Sequence, residues 1–362
     1  MQSNVYSLPK PNRDRVTKTL LFWTPQDWFI DWVGNKWDTS RVFDKCRVSN
    51  CVLTKQHQYK DNADIILFRA RDLKKCLKKT KRGQIWVIFE HEAPTSFEIL
   101  HKLDKYCYRN MFNWTLTYRR DSDFTFVHGL FSKRTTIFND SVVDKIIKSK
   151  TKTAVAFISH CHTESRRLEY INRLRQNGID VDIYGRCGNL KCRYGLGYVG
   201  DFKMIWKVAS DLKMKKDCFD VLDSRYKFYI SFENSLCDDY NTEKSHHLVL
   251  QHTIIPIIRD GSNRSLFHPP NSYLDTKDFK TVKSLADRIK QINYSSDEYK
   301  KYLQWKKYFY SETVRGVLQS NMCDICERLH NQDKYRRLYG NIVDFLFTRG
   351  HNSPICHKPG DL

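Results

Sequence analysis

Three groupings of carboxylates and cations in this chain have residue types and spacings that could do chemistry. The first is Thr242-Glu243-Lys244, which follows an apolar run at 228–232 and a polar loop at 234–240. It precedes Leu248, Leu250 and a second apolar run at 254–258 that contains Pro256. A β-prone run, a turn-rich loop, Thr242 as N-cap with Glu243 in the first turn, and another strand spell a βαβ unit. Its loop opens at the carboxyl end of a strand and the amino end of a helix. Free N–H groups and the positive end of the dipole suit a phosphate there. Lys244 adds a cation, and Glu243 can accept hydrogen bonds from sugar hydroxyls. Both are expected at an exposed loop–helix junction, and both also read as an ordinary helix start with surface charges.

The second grouping is Glu90-His91-Glu92, closed by Pro94, just past an apolar run at 85–89. A carboxylate at the end of a parallel strand is well placed to act as a base. Glu90 points the same way as Glu92 if the strand persists, and either can be a plain surface glutamate. The third is Asp121-Ser122-Asp123, whose oxygens would suit a divalent cation beside a diphosphate. It follows Tyr118-Arg119-Arg120, however, and direct pairing with those arginines predicts a structural loop without a metal. His246, His247 and His252 have no ligand-like neighbours and stay unassigned.

Several blocks together resemble the α1,3-fucosyltransferase family. Phe232-Glu-Asn-Ser235 followed by Asp239-Tyr-Asn-Thr-Glu-Lys244 is similar to its donor signature, and Tyr118-Arg-Arg-Asp-Ser-Asp123 to another block. Trp86 to Pro94, Pro270 to Phe279 and Tyr299 to Trp305 match further blocks in the family's order, over roughly residues 40–330. The resemblance implies a GT-B-type fold, two Rossmann-like α/β domains facing a cleft. It implies inverting transfer of fucose from GDP-fucose to an N-acetylglucosamine hydroxyl. Glu92 becomes the general base, although Ala93 stands where the family carries Ser. Counting from Ser159-His160, which replaces the family's Ser-Asn, makes Arg167 a diphosphate cation beside Lys244, with Arg166 adjacent. Glu243 would hold ribose hydroxyls, and Asn234 and Tyr240 would line the nucleotide-sugar. Lys227 reaches the same pocket or is a strand-edge lysine. No cofactor is held permanently, and Mn²⁺ or Mg²⁺ stimulates, if at all, without a dedicated protein site.

The acceptor is less constrained. Gly185-Arg-Cys-Gly188 with Cys192, Cys218 and Cys237 looks more like invertebrate and plant enzymes acting on the N-glycan core than Lewis-type enzymes acting on antennae. Trp23, Trp28, Trp32 and Trp37 could stack on acceptor sugars or belong to a core. A catalytically silent glycan-binding relative remains the competing class, but the presence of Glu92, Arg167, Glu243 and Lys244 favours the enzyme.

Bulk properties bound the rest. A chain of 362 residues, 40% hydrophobic and 14% aromatic, folds and has room for two cores. Its formal charge of +21 suggests anionic partners. No recognition-helix or zinc-finger pattern accompanies that charge, so nucleic acid is not expected. The densest run, 69–82, spaces Leu73, Cys76 and Leu77 as a helix with a solvated face. A nucleotide-sugar accounts for only a few of the cations. Twelve cysteines are many for a cytosolic protein. Cys46 and Cys51 with Cys323 and Cys326 could be staples or four zinc ligands, and the resemblance favours disulfides. Sequons at Asn113, Asn139, Asn263 and Asn293 point the same way, to a secretory lumen. Family members are single-span Golgi proteins, so this chain reads as a lumenal fragment whose membrane anchor lies outside it.

The expected organisation is a polar lead at 1–17, an acceptor-side α/β domain at 18–145 and a GDP-fucose-binding α/β domain at 146–310. A helical tail at 311–362 packs back on the first domain. Strands are expected at 20–23, 65–68, 85–89, 154–158 and 181–184. Helices are expected at 165–177, closed by Gly178, at 281–292, and over one long tract at 325–347. A charged helix at 140–152 reads as a connector.

Overall fold

The computed structural model describes residues 16–24, 39, 41–96, 107–135, 140–191, 218–246, 252–311, 314–350 and 353–362. The chain divides into two compact units, Met1–Phe126 with Arg315–Pro354, and Val127–Val314 with Ile355–Leu362.

Unit 1 carries a parallel six-stranded sheet. Its strands are β1 (Lys18–Phe22), β2 (Cys51–Thr54), β3 (Ile65–Arg69), β4 (Ile85–Glu90), β5 (Trp114–Thr117) and β6 (Phe124–Thr125), in the order β2-β1-β3-β4-β5-β6. Central parallel strands are covered on both faces, which is why β3 and β4 are almost unbroken apolar runs. One face of the sheet packs Ile66, Phe68, Trp86 and Ile88 against Phe112, Ile342, Val343 and Leu346.

Two expectations are corrected in this unit. The run 69–82 contains a 3-10 turn, Ala70–Asp72, and then an irregular course rather than a helix. Cys76 is tied to Cys107 and the Lys75 carbonyl accepts from the Tyr108 hydroxyl, so Leu73 and Leu77 reach the core without helical spacing. The tract 325–347 is two helices, Val314–Leu329 and Ile342–Phe347. Between them the carbonyls of Tyr335 and Arg337 accept from the Trp114 indole and the Asn113 amide, both at 3.0 Å, which holds the backbone along the sheet. Asn341 then caps the second helix. The four staple cysteines form Cys46–Cys323 and Cys51–Cys326, which rules out their sharing a zinc ion. The first closure is worth about 5 kcal/mol in the chain-entropy argument, and the second, lying alongside it, adds much less.

Unit 2 begins with β7 (Phe131–Lys133), which pairs with Phe309–Ser311. Its main sheet contains β8 (Lys152–Phe157), β9 (Val181–Tyr184), β10 (Tyr226–Phe232), β12 (Ile255–Arg259) and β13 (Leu274–Asp275). The order is β13-β12-β10-β8-β9, all parallel. The short β11 (Leu236–Cys237) lies outside it. Alternate residues of β8, β10 and β12 face the helices Arg167–Gln176 and Val282–Tyr294, while Val155 and Tyr229 face Val221 and Leu222 of Cys218–Arg225. The layers are therefore those of a doubly wound α/β fold. Gly178, at φ +81°, ends the first of these helices, and Thr281 caps the second. The helix Asp140–Ser149 buries Val143 and Ile147 in this unit's core. Five disulfides occur among the described residues, two of them, Cys161–Cys187 and Cys237–Cys356, in this unit. No helix among the described residues is long and apolar enough to cross a membrane.

Of the sequons, Asn263 is exposed and Asn293 half-buried. The Asn113 side chain is engaged by Lys79, the Trp86 amide and the Arg337 carbonyl. Asn139 and the loop tryptophans 28, 32 and 37 lie outside the described residues.

Candidate active site

In unit 1 the end of β4 separates the two candidate glutamates. Glu90, the last strand residue, is 1% exposed and meets Arg71 at 3.4 Å. Its Oε1 accepts the amides of His91 and Glu92, each at 3.1 Å. Burial pushes its carboxyl above the ordinary value, against Arg71 and Arg69. Glu92 lies one step on, ahead of the 3-10 turn Pro94–Ser96, with its side chain 30% exposed and Oε1 3.8 Å from His91 Nε2. Only the second glutamate offers an accessible carboxylate.

Asp121 and Asp123 are engaged by protein groups. Arg119 holds both oxygens of Asp121, at 2.8 and 2.6 Å. Asp123 accepts from Thr115, Tyr339 and Arg337. The pairing with Arg119 is the one the sequence suggests.

In unit 2 the chain passes from β8 to β9 on one side and to β10 on the other, so the carboxyl ends of β8 and β10 form a topological switch point. Arg166 takes a left-handed conformation, φ 52°, and is exposed, turned to Glu169. Arg167 opens the helix and points inward, donating to the carbonyls of Phe232 at 3.1 Å and His160 at 2.9 Å. Of the two arginines, Arg167 is therefore the one whose side chain turns into the unit. Burial lowers the Arg167 pKa, opposed by Glu233, Tyr240, Tyr229 and Glu243, which surround it.

Glu233 is the residue that sequence reasoning passed over. It is 1% exposed, and its Oε1 accepts the Thr242 amide at 2.8 Å and hydroxyl at 2.7 Å. Lys244 lies 3.3 Å from its other oxygen and 2.9 Å from Glu243. Burial pushes the Glu233 carboxyl up, with Lys244 opposing. Burial also opposes ionisation of Glu243, but Lys244 and His128 outweigh it and hold that carboxyl at about 2. Lys244 is in turn raised above its ordinary value, since Glu233 and Glu243 outweigh its burial. Glu243 and Lys244 are thus half-buried members of an ion network, which corrects the exposed junction expected for them. The turn at 243–246 follows Thr242 directly, and the helix expected around Leu248 and Leu250 lies outside the described residues.

Tyr240 is buried beside Arg167. The Asn234 Oδ1 and Arg167 Nε are buried and make no hydrogen bond within the protein. Buried polar atoms of this kind ask for a partner, which a polar ligand can supply. Lys227 is not there. It occupies the start of β10, roughly 20 Å of strand away, and donates to the Asn293 carbonyl. A strand has two ends, and Arg167, Glu233 and Asn234 gather at the carboxyl end, away from Lys227. His252 is likewise remote, 2.8 Å from Asp223.

The fucosyltransferase N-terminal signature matches residues 15–129, and that of glycosyltransferase family 10 (fucosyltransferase), C-terminal part, matches 147–345. The chain belongs to the α1,3-fucosyltransferase family. A Drosophila melanogaster relative, α-(1,3)-fucosyltransferase C, is 33% identical over 343 residues, 87% of this chain and 74% of its own length. An α-(1,3)-fucosyltransferase of Caenorhabditis elegans is 30% identical over 88% of this chain and 76% of its own. Among solved structures, a crystal structure of an α1,3-fucosyltransferase matches 92% of this chain and 93% of its own at a TM-score of 0.52 and 14% identity, a likeness of fold. The two parallel-sheet units are those of a GT-B-type glycosyltransferase. The chain is thus a glycosyltransferase of the fucosyltransferase family.

Proposed function

We propose that this enzyme transfers L-fucose from GDP-fucose, with inversion, to the 3-hydroxyl of an N-acetylglucosamine on a glycoprotein N-glycan, with the core residue as the preferred acceptor. The observation that carries the reading is the gathering of Arg167, Asn234, Tyr240, Glu243 and Lys244 at the switch point of the second sheet. Arg167 and Lys244 face the diphosphate, Glu243 accepts from ribose hydroxyls, and Asn234 and Tyr240 line the nucleotide-sugar. Glu92 takes the proton of the acceptor hydroxyl. The acceptor oxygen then bonds to the anomeric carbon as the bond from that carbon to the diphosphate oxygen breaks, and the electron pair leaves on GDP. Positive charge fixed at the departing group lowers the barrier most where it is preorganised. Mn²⁺ or Mg²⁺, where it stimulates, acts on the diphosphate, since the Asp121 and Asp123 oxygens are committed to protein donors. The disulfides support action in a secretory lumen, which we assign to the Golgi.

The test is a product map by mass spectrometry with GDP-fucose and two acceptors in parallel, an N-glycan core and N-acetyllactosamine. Fucose on the core N-acetylglucosamine is the expected result. Product confined to N-acetyllactosamine would move the enzyme to antennary, Lewis-type transfer. Absence of product and of GDP release with both would leave a silent relative.

A further inference from the structure

The last residues of the chain, 355–362, return to unit 2 and meet the proposed donor loop at two points. At the first, β11 pairs antiparallel with Cys356–His357, and Cys237 is joined to Cys356. The Asp238 amide donates to the Ile355 carbonyl at 2.7 Å, and the His357 ring meets the Asp238 carboxylate at 2.8 Å. The other side of this loop is pressed by Gly261, where a Cβ would lie 2.2 Å from the Cys237 carbonyl oxygen. At the second point, the Asp361 oxygens accept from Arg259 Nε and Nη2 at 2.7 and 2.6 Å. Arg259 is 2% exposed, lies over the Tyr170 ring and donates from Nη1 to the Ser165 carbonyl at 2.6 Å. Ser165 donates to the carbonyls of Glu233 and Asn234, at 2.6 and 3.0 Å, two residues ahead of Arg167. The segment 355–362 lies beyond the span that the family signatures match.

We infer that residues 355–362 are a positioning strap for the donor site. It acts on Asn234 and Tyr240 through Cys237, and on Arg167 through Arg259 and Ser165. The inference rests on the donor reading given above. A bidentate charge-assisted pair fixes orientation as well as distance. Without the Asp361 carboxylate, the buried Arg259 guanidinium loses its counter-charge and its reason to hold that geometry. A donor loop released at either anchor has to be ordered again by the ligand, which weakens binding and leaves the chemical step unchanged.

The test uses the full chain and four proteins: wild type, Asp361→Asn, Asp361→Glu, and the double variant Cys237→Ser/Cys356→Ser. GDP binding is followed by calorimetry, and turnover by GDP release from GDP-fucose. Asp361→Asn is expected to raise the GDP Kd and the donor KM about 3–10-fold, with kcat within about twofold and partial rescue in Asp361→Glu. The double cysteine variant should move Kd further in the same direction. Asp361 is 42% exposed and Asp361→Glu keeps a carboxylate for Arg259, so this variant remains a test where those that remove the charge or the disulfide do not fold. Wild-type Kd and KM in Asp361→Asn overturn the strap. A parallel loss of kcat and thermal stability with unchanged KM overturns it as well, because that is the mark of a merely structural contact. Failure of the wild type to bind GDP is a different result, and it sinks the donor reading itself.

Discussion

At the end of β4, Glu90 Oε1 accepts the His91 and Glu92 amides at 3.1 Å; just past β10, Glu233 Oε1 accepts the Thr242 amide and hydroxyl at 2.8 and 2.7 Å. Each sheet thus buries one glutamate at a strand end, caps a turn with it, and presents a second glutamate from that turn, Glu92 or Glu243. The cations are shared differently. Lys244 bridges Glu233 and Glu243, and Glu243 is held ionised down to about 2. A carboxylate so stabilised accepts hydrogen bonds well and protons poorly near neutral pH. Arg71 instead goes to the buried Glu90, and Glu92 stands beside the His91 imidazole, within the field of Arg69 and with access to solvent. Under the proposed roles, where the cation goes would separate the hydroxyl holder, Glu243, from the proton acceptor, Glu92.

The largest effect should come from removing the proton acceptor. Glu92→Gln keeps shape and is expected to lower kcat by about 10²–10⁴-fold, with GDP affinity near wild type because the groups proposed to hold the nucleotide lie in unit 2. Stopped-flow GDP release and a binding titration check both halves. Turnover within tenfold of wild type would break the contrast between Glu92 and Glu243. Next comes Lys244→Ala, which leaves Glu233 and Glu243 buried without their shared cation. GDP affinity should fall by at least about tenfold, and the thermal midpoint should drop as well, unlike in Glu92→Gln. A Lys244→Ala protein with wild-type affinity would remove the diphosphate from this turn.

The sequence made the strands legible for a physical reason. Runs such as 65–68, 85–89 and, but for Ser231, 228–232 are continuous and apolar because both faces of a central parallel strand are covered; 181–184 forms the edge strand β9 and is interrupted by Asp182. Thr281 and Gly178 carry their cap information locally. Arg167 and the Thr242-Glu243-Lys244 turn were legible through motif likeness. What escaped is set by distance along the chain. Glu233 looks like one more polar residue until the turn nine residues later folds onto it. Arg259 and Asp361 are 102 residues apart, and no local pattern announces their pairing. Lys227 misled because nearness to a motif does not say which end of a strand a side chain occupies. At 69–82 helical spacing lost to the Cys76–Cys107 bridge and to packing of Leu73 and Leu77.

The remaining expected effects are on stability, and their signs sharpen the comparison. Glu243 has its folded pKa depressed from 4.5 to about 2. Its contribution is therefore fully present above about 4.5, the unfolded value, and lost as pH falls toward 2, amounting to about 3 kcal/mol at most. Glu90 has its folded pKa raised, chiefly by burial. The unfolded chain then releases that proton first, so the wild type loses stability as pH rises from about 4.5 through the folded value. Glutamine titrates in neither position. The stability of wild type relative to Glu243→Gln should grow as pH rises from about 3 to 5. Relative to Glu90→Gln it should shrink as pH rises from about 4 to 7. Glu90→Gln should also stay within about tenfold of wild-type turnover, because the amide oxygen still accepts the two turn amides. Urea melts across this pH range, with kcat measured alongside, decide the matter. Slopes of the same sign would mean that the two edges balance their charges alike. Loss of turnover in Glu90→Gln with activity retained in Glu92→Gln would exchange the roles of the two residues.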